Sequence, residues 1–290
     1  MVSTIQNTDV KQGFGPENMR LKKGIIGKDS SLCLLAEDAD PVSSLQKDAD
    51  RAVVVAVTSR AVFDCGAEDG DDVYGVGVAF PLLQALQRVN ERLLEENPAE
   101  SLLFDVVLIT TDSQQQQQSS RIISNTRHYG LEISRFCFSS EEDFIESLLT
   151  NHVDLFLSTD RSEAAQASHK GVFSALLNRK VASSEQLRVL FCGDAVIRPD
   201  TDSPSASQDA AQSFSAQLGE MRQRFGLLHS PLSIVLVTSR GGRESCGTAL
   251  RTLRSRGVSV DEAYCLAGAP RSPFLSLLRP HFLLNNDLED

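Results

Sequence analysis

The stretch AVVVAVTS (52–59) is apolar without interruption until its polar end. A strand with one wet face alternates apolar and polar residues. An unbroken run rich in valine fits a strand covered on both faces. Runs of the same kind return as FDVVLITT (104–111), DLFLSTD (154–160), LRVLFCGDAVI (187–197) and IVLVTS (234–239). Helical stripes lie between them. In FPLLQALQRVNERLLEE (80–96), Leu82, Leu83, Leu86, Val89 and Leu93 recur at helical spacing. RIISNTRHYG (121–130) reads as a helix closed by Gly130. Doubly covered strands alternating with helices predict an α/β fold with doubly wound parallel sheets.

The second half repeats the order of the first. Ala195-Val196 answers Ala61-Val62, IVLVTS (234–239) answers VVLITT (106–111), and Tyr264-Cys265 answers Phe136-Cys137. Arg254 to Gly257 falls opposite Arg127 to Gly130, and FLLNND (282–287) opposite LFLSTD (155–160). Part of this likeness comes from the shared use of Val, Leu and Ile in buried strands. The constant order of the landmarks favours duplication. The expected organisation is a disordered tail over 1–50, a first half over 51–186 and a second over 187–290. The tail is rich in Ser, Asp, Lys, Asn and Gln, and its only apolar clusters are Ile25-Ile26 and Leu32 to Leu35.

Charge narrows the partners. The chain has 290 residues, with 28 Lys+Arg against 39 Asp+Glu and a net charge of −11. Net repulsion argues against a nucleic acid polymer or an anionic membrane. No apolar run reaches the roughly 18–20 residues of a spanning helix. The first residues lack the apolar core of a secretory signal. Six cysteines without C-x-x-C spacing then read as reduced thiols of a cytoplasmic protein.

The chemistry concentrates in the second half. One strand ends in Phe191-Cys192-Gly193-Asp194, the next in Thr238-Ser239-Arg240; LAGAPR (266–271) and a last strand into Asn285-Asn286-Asp287 follow. Together with SRAVF (59–63), AFPLLQALQRVN (79–90), RHYGL (127–131), GDAV (193–196) and TLRSRG (252–257), this order resembles the vertebrate cytosolic 5′-nucleotidase I family. Those proteins are phosphatases of the haloacid-dehalogenase type. The resemblance runs over about residues 51–287. It implies hydrolysis of nucleoside 5′-monophosphates, AMP in particular, with Mg²⁺. In such enzymes the first carboxylate of a D-x-D motif attacks phosphorus and the second acts as acid and base. A Thr or Ser and a Lys then hold the phosphoryl group, and acidic residues after the last strand hold the metal.

The chain departs from that pattern at its centre. Cys192 stands at the nucleophile position, while Asp194 keeps the acid/base position. Thr238 is retained, and Arg271 replaces the Lys. Asn285 and Asn286 replace the acidic pair, and Asp287 lies one residue later. By resemblance the metal set would be Asp194, Asn286 and Asp287. Mg²⁺ prefers anionic oxygens, so weak binding is expected. Loss of a nucleophile that works as part of a unit costs about 10⁴–10⁶ in turnover. The reading is a nucleotidase-like protein with activity lost or much reduced. The alternatives are an active Mg²⁺-dependent nucleotidase, or a non-catalytic nucleotide-binding subunit in a homo- or hetero-oligomer with related nucleotidases.

Other features carry less. Cys192 to Arg198 has the C-x5-R spacing of cysteine phosphatases, but the intervening Asp194 would repel both thiolate and phosphate. Arg240 and Gly241 open a helix after a strand, where an anion can be held, and are candidate substrate contacts. His128 and His152 lack metal-ligand spacing, and Asp69, Asp71 and Asp72 read as a solvated acidic loop.

Overall fold

The computed structural model describes residues 22–25, 32–35, 51–64, 73–111, 119–140, 143–177, 185–196, 206–226, 229–239 and 242–284. Among these the chain begins with β1 (Lys22–Ile25), β2 (Leu32–Leu35) and β3 (Val53–Thr58). A single helical turn α1 (Ser59–Val62) leads into a ribbon of β4 (Phe63–Asp64) and β5 (Gly75–Val76). Next come α2 (Phe80–Glu96), β6 (Phe104–Thr110), α3 (Ser119–His128), β7 (Arg135–Phe138) and α4 (Phe144–Thr150). The first half closes with β8 (Leu155–Ser158), α5 (Arg161–His169) and β9 (Ser174–Leu176). The second half runs β10 (Leu187–Cys192), a turn α6 (Gly193–Val196), α7 (Ala206–Arg224), β11 (Leu232–Thr238) and α8 (Gly242–Ser255). It ends with β12 (Glu262–Cys265), α9 (Arg271–Leu278) and β13 (Phe282–Leu284).

The strands form two principal sheets. The larger has the order β1-β2-β7-β6-β3-β8-β9, the smaller β12-β11-β10-β13. From β7 to β9 the first is parallel throughout, as is the second. The doubly covered runs explain this. Every residue of β3 and of β11 is buried, because helices or loops cover both faces. Leaving the β4–β5 ribbon aside, β3 lies between β6 and β8 with β7 outside β6, just as β10 lies between β11 and β13 with β12 outside β11. In each, the first strand passes directly into one helical turn: SRAV after β3, GDAV after β10.

The two sheets meet at an edge. Leu177 forms an antiparallel bridge with Phe282, and one apolar core joins Val55, Leu108 and Leu157 to Val189, Leu236 and Phe282. Phe214 of α7 stands between Phe173 of the first half and Phe282 of β13, with ring centroids 5.8 and 6.5 Å away. Above this core Arg51 pairs with Glu220 at 3.0 Å, and Arg224 with Glu100 at 3.4 Å. Burial alone would raise the Glu100 pKa. Backbone N–H donors from Leu102 and Ser101, the Arg224 charge and Asn97 outweigh it and hold the group below its ordinary value.

The helices expected over 80–96 and 121–130 form over Phe80–Glu96 and Ser119–His128. Gly130 closes the second at φ 63°, and the Leu131 N–H donates to the Thr126 carbonyl at 2.8 Å. The tail reading needs correction in part. Residues 22–25 and 32–35 form two antiparallel strands, the second of which pairs with β7. Without it β7 would expose a row of N–H and C=O groups, and a short segment can pair on such an edge without a core of its own. No described helix is long and apolar enough to cross a membrane.

Candidate functional site

Parallel strands present their candidate residues at their carboxyl ends, where connections open a crevice. Cys192 ends β10, and its register partner on β11 is Val237. Side chains alternate along each strand, which divides the candidates between two faces. Cys192 continues the face of Leu190, beside Val235 and Val237. Ser239 follows on that same face. Thr238 continues the other face, after Ile234 and Leu236. It is fully buried, and its Oγ1 donates to the Tyr264 carbonyl at 3.4 Å. Gly193 explains the close fit there. A Cβ at this position would stand 2.2 Å from Thr238 Cγ2. Cys192 is itself buried, at 2% exposure, and occupies the strand end as a small apolar group.

Arg271 reaches this rim from the other side of β11. The segment from Leu266 to Pro270 folds back on the strand end. The Leu266 N–H donates to the Thr238 carbonyl at 2.8 Å, and the Gly268 N–H to the Ser239 carbonyl at 2.7 Å. Ala267 and Gly268 turn the chain at φ 50° and 92°; the second conformation favours glycine. Arg271 then opens α9, and its Nε donates to Ser239 Oγ. Farther along, Arg188 NH1 donates to the Leu278 carbonyl at 2.9 Å and its N–H to His281 Nδ1 at 3.0 Å, which fixes α9 against β10. Sequence reasoning missed Ser239 as a member of the site. Its signal was its place two residues after Val237, on the face of Cys192 and not that of Thr238.

The remaining candidates fall beyond what is described. Arg240, Gly241, Asn285, Asn286 and Asp287 lie outside the described residues, as does the side chain of Asp194. The backbone of Asp194 lies in α6, which packs against α8, and β13 ends at Leu284 beside Phe191. Among the described residues no group of three or more His, Cys, Asp or Glu is placed to hold a metal ion. His128 packs edge-on against Tyr129, with ring centroids 4.9 Å apart, and His152 follows α4 at a turn with φ 51°. The loop of Asp69, Asp71 and Asp72 is outside the described residues. Beside the rim, Tyr264 donates its hydroxyl to Glu262. That bond, aided by burial and the Glu262 charge and opposed by Arg188, pushes the tyrosine pKa up.

A family model described as 5′-nucleotidase matches residues 67–221 and 200–289, most of both halves. The chain belongs to the 5′-nucleotidase family. Human cytosolic 5′-nucleotidase 1B is 33% identical over 240 residues, which cover 73% of this chain. They cover 39% of that relative, so the chain spans well under half of the curated protein it resembles. The family match takes in β6 to β9 of the larger sheet, all four strands of the smaller one and the rim of Cys192, Thr238 and Arg271.

Proposed function

We propose that this chain binds nucleoside 5′-monophosphates, of the AMP type, at the carboxyl rim of the four-stranded sheet, and turns them over poorly or not at all. The observation that carries the reading is the state of the nucleophile position. Cys192 is buried at the end of β10 where the family places a carboxylate. A thiol there supplies no carboxylate oxygen to attack phosphorus. Arg271 supports retained binding: an always-charged guanidinium, tied through Nε to Ser239, stands at the strand end where phosphate recognition is expected.

Asp194, Asn286 and Asp287 are the residues we assign to Mg²⁺. With one or two carboxylates left from the family set, the metal contributes little to affinity in this reading. The acid/base position Asp194 remains, but without a nucleophile there is no aspartyl-phosphate for it to hydrolyse. We also propose that the halves 51–186 and 187–290 arose by duplication. Their common strand order and the single helical turn after each first strand support this.

Titration calorimetry of the full chain with AMP tests the binding half of the proposal, with adenosine as the control lacking phosphate. Saturable binding of AMP, weakened severalfold or more in Arg271→Ala, is expected. No AMP binding with or without Mg²⁺ would remove it.

A further inference from the structure

The carboxyl rim of the first sheet carries a row of hydroxyls, one at the end of each of four neighbouring strands or just after it. Thr58 continues the face of Val54 and Ala56, and Thr111 that of Val107 and Ile109. Ser139 continues from Cys137, and Ser158 from Phe156. Below the row this face is apolar. The row itself is buried: Ser139 and Ser158 are 0% exposed, Thr58 1% and Thr111 6%. Glu163 reaches over it from α5. Ser158 Oγ donates to Glu163 Oε2 at 2.6 Å, and Thr111 Oγ1 to Oε1 at 3.3 Å. The guanidinium of Arg60, from the turn after β3, pairs with Oε1 and stands 3.5 Å from Asp160.

Two hydroxyls and a guanidinium converging on two oxygens form the donor set that a carboxylate or phosphoryl group requires. The place fits a ligand as well. β3 and β8 flank the point where the strand order of this half reverses, which is where open α/β sheets take their ligands. The row also holds more hydrogen-bonding capacity than Glu163 uses. Among the described residues Thr58 Oγ1 and Ser139 Oγ are buried with no hydrogen-bond partner, a cost that native interiors seldom carry.

We propose that this rim is an oxyanion-binding cradle filled by the chain's own Glu163. The carboxylate takes the place of a ligand oxyanion, a carboxylate or phosphate, and keeps the first half closed to such ligands. The positions match the candidate site of the second half: Thr58 corresponds to Cys192, Thr111 to Ser239 and Arg60 to Asp194 along the two strand ends. The inference stands on the Glu163 contacts and does not require nucleotide binding in the second half.

Removing the plug tests it. Thermal unfolding of full-length Glu163→Ala is followed in sodium phosphate, sodium acetate and sodium chloride at matched ionic strength, beside wild type. The variant gains a rise in Tm with phosphate or acetate beyond that of wild type, and the added change Arg60→Gln abolishes it. A rise with acetate alone would mark the cradle as carboxylate-sized, and one with phosphate as roomy enough for a phosphoryl group. If Glu163→Ala does not fold, Glu163→Ser empties the same space while keeping a hydroxyl that can accept from Arg60. It should then show an Arg60-dependent phosphate response. A folded variant with no anion response beyond wild type and chloride overturns the proposal.

Discussion

The two strand rims share a layout and differ in what fills them. β3 lies between β6 and β8 and β10 between β11 and β13, and each of these two strands passes into one helical turn. At the first rim the polar groups face inward. Thr111, Ser158 and Arg60 converge on Glu163, and the cluster is closed by α5. At the second rim the central strand ends in a buried thiol, while a cation is delivered from outside by the turn before α9. One architecture can therefore close a carboxylate inside one rim and set a guanidinium against a serine at the other. The difference lies in a few residues after each strand, not in the sheets.

The largest effect should come from restoring the family's carboxylates to the second rim. In Cys192→Asp/Asn285→Asp/Asn286→Asp, phosphate release from AMP with Mg²⁺ should rise by about 10² or more over wild type, given what loss of a nucleophile costs. The same assay on Cys192→Ser should show no change from wild type, since the thiol is not the attacking group. A fall would revive the cysteine-phosphatase reading.

Next in size is the stability contrast between the rims. Glu163→Ala takes the carboxylate partner from Thr111, Ser158 and Arg60 and should cost about 1–3 kcal/mol in urea unfolding. Cys192→Ala removes one sulfur from an apolar site and should cost about 1 kcal/mol. Equal costs would mean that the first rim is not organised around Glu163. At the second rim, Ser239→Ala should raise the AMP Kd by roughly 3–10-fold, the worth of about one hydrogen bond, with little change in stability.

The smallest effect concerns pH. The Glu100 pKa lies lower in the folded chain than in the unfolded one. Its contribution to stability is therefore complete above the unfolded value and lost as pH falls through the folded value. Asp154 acts in the opposite sense. Burial raises its pKa against the Val54 N–H and His152, so its contribution weakens as pH rises between its unfolded and folded values. Glu100→Gln should flatten the acid limb of a urea-midpoint profile, and Asp154→Asn should steepen it.

Much of the fold was legible because backbone physics repeats. Runs such as AVVVAVTS admit few alternatives, and Gly130 marks the end of its helix at φ 63°. The pairing of residues 22–25 and 32–35 was not legible, because it depends on an edge that β7 supplies from 100 residues away. For the site, Cys192 and Arg271 were read from their places in the motifs. Ser239 needed the face alternation of β11, and Glu163 needed the third dimension. In sequence Glu163 is one acid in the first turn of an ordinary helix. Only packing brings it over Thr111, which follows β6 more than fifty residues earlier.

The central claim is that this nucleotidase-family chain retains a phosphate-holding rim without the family's chemistry. Phosphate release from AMP by the purified full chain with Mg²⁺, measured beside the triple carboxylate variant, tests it most directly. The account predicts a wild type that releases almost no phosphate and a variant that does. Wild-type turnover comparable to that of an active family member would contradict it.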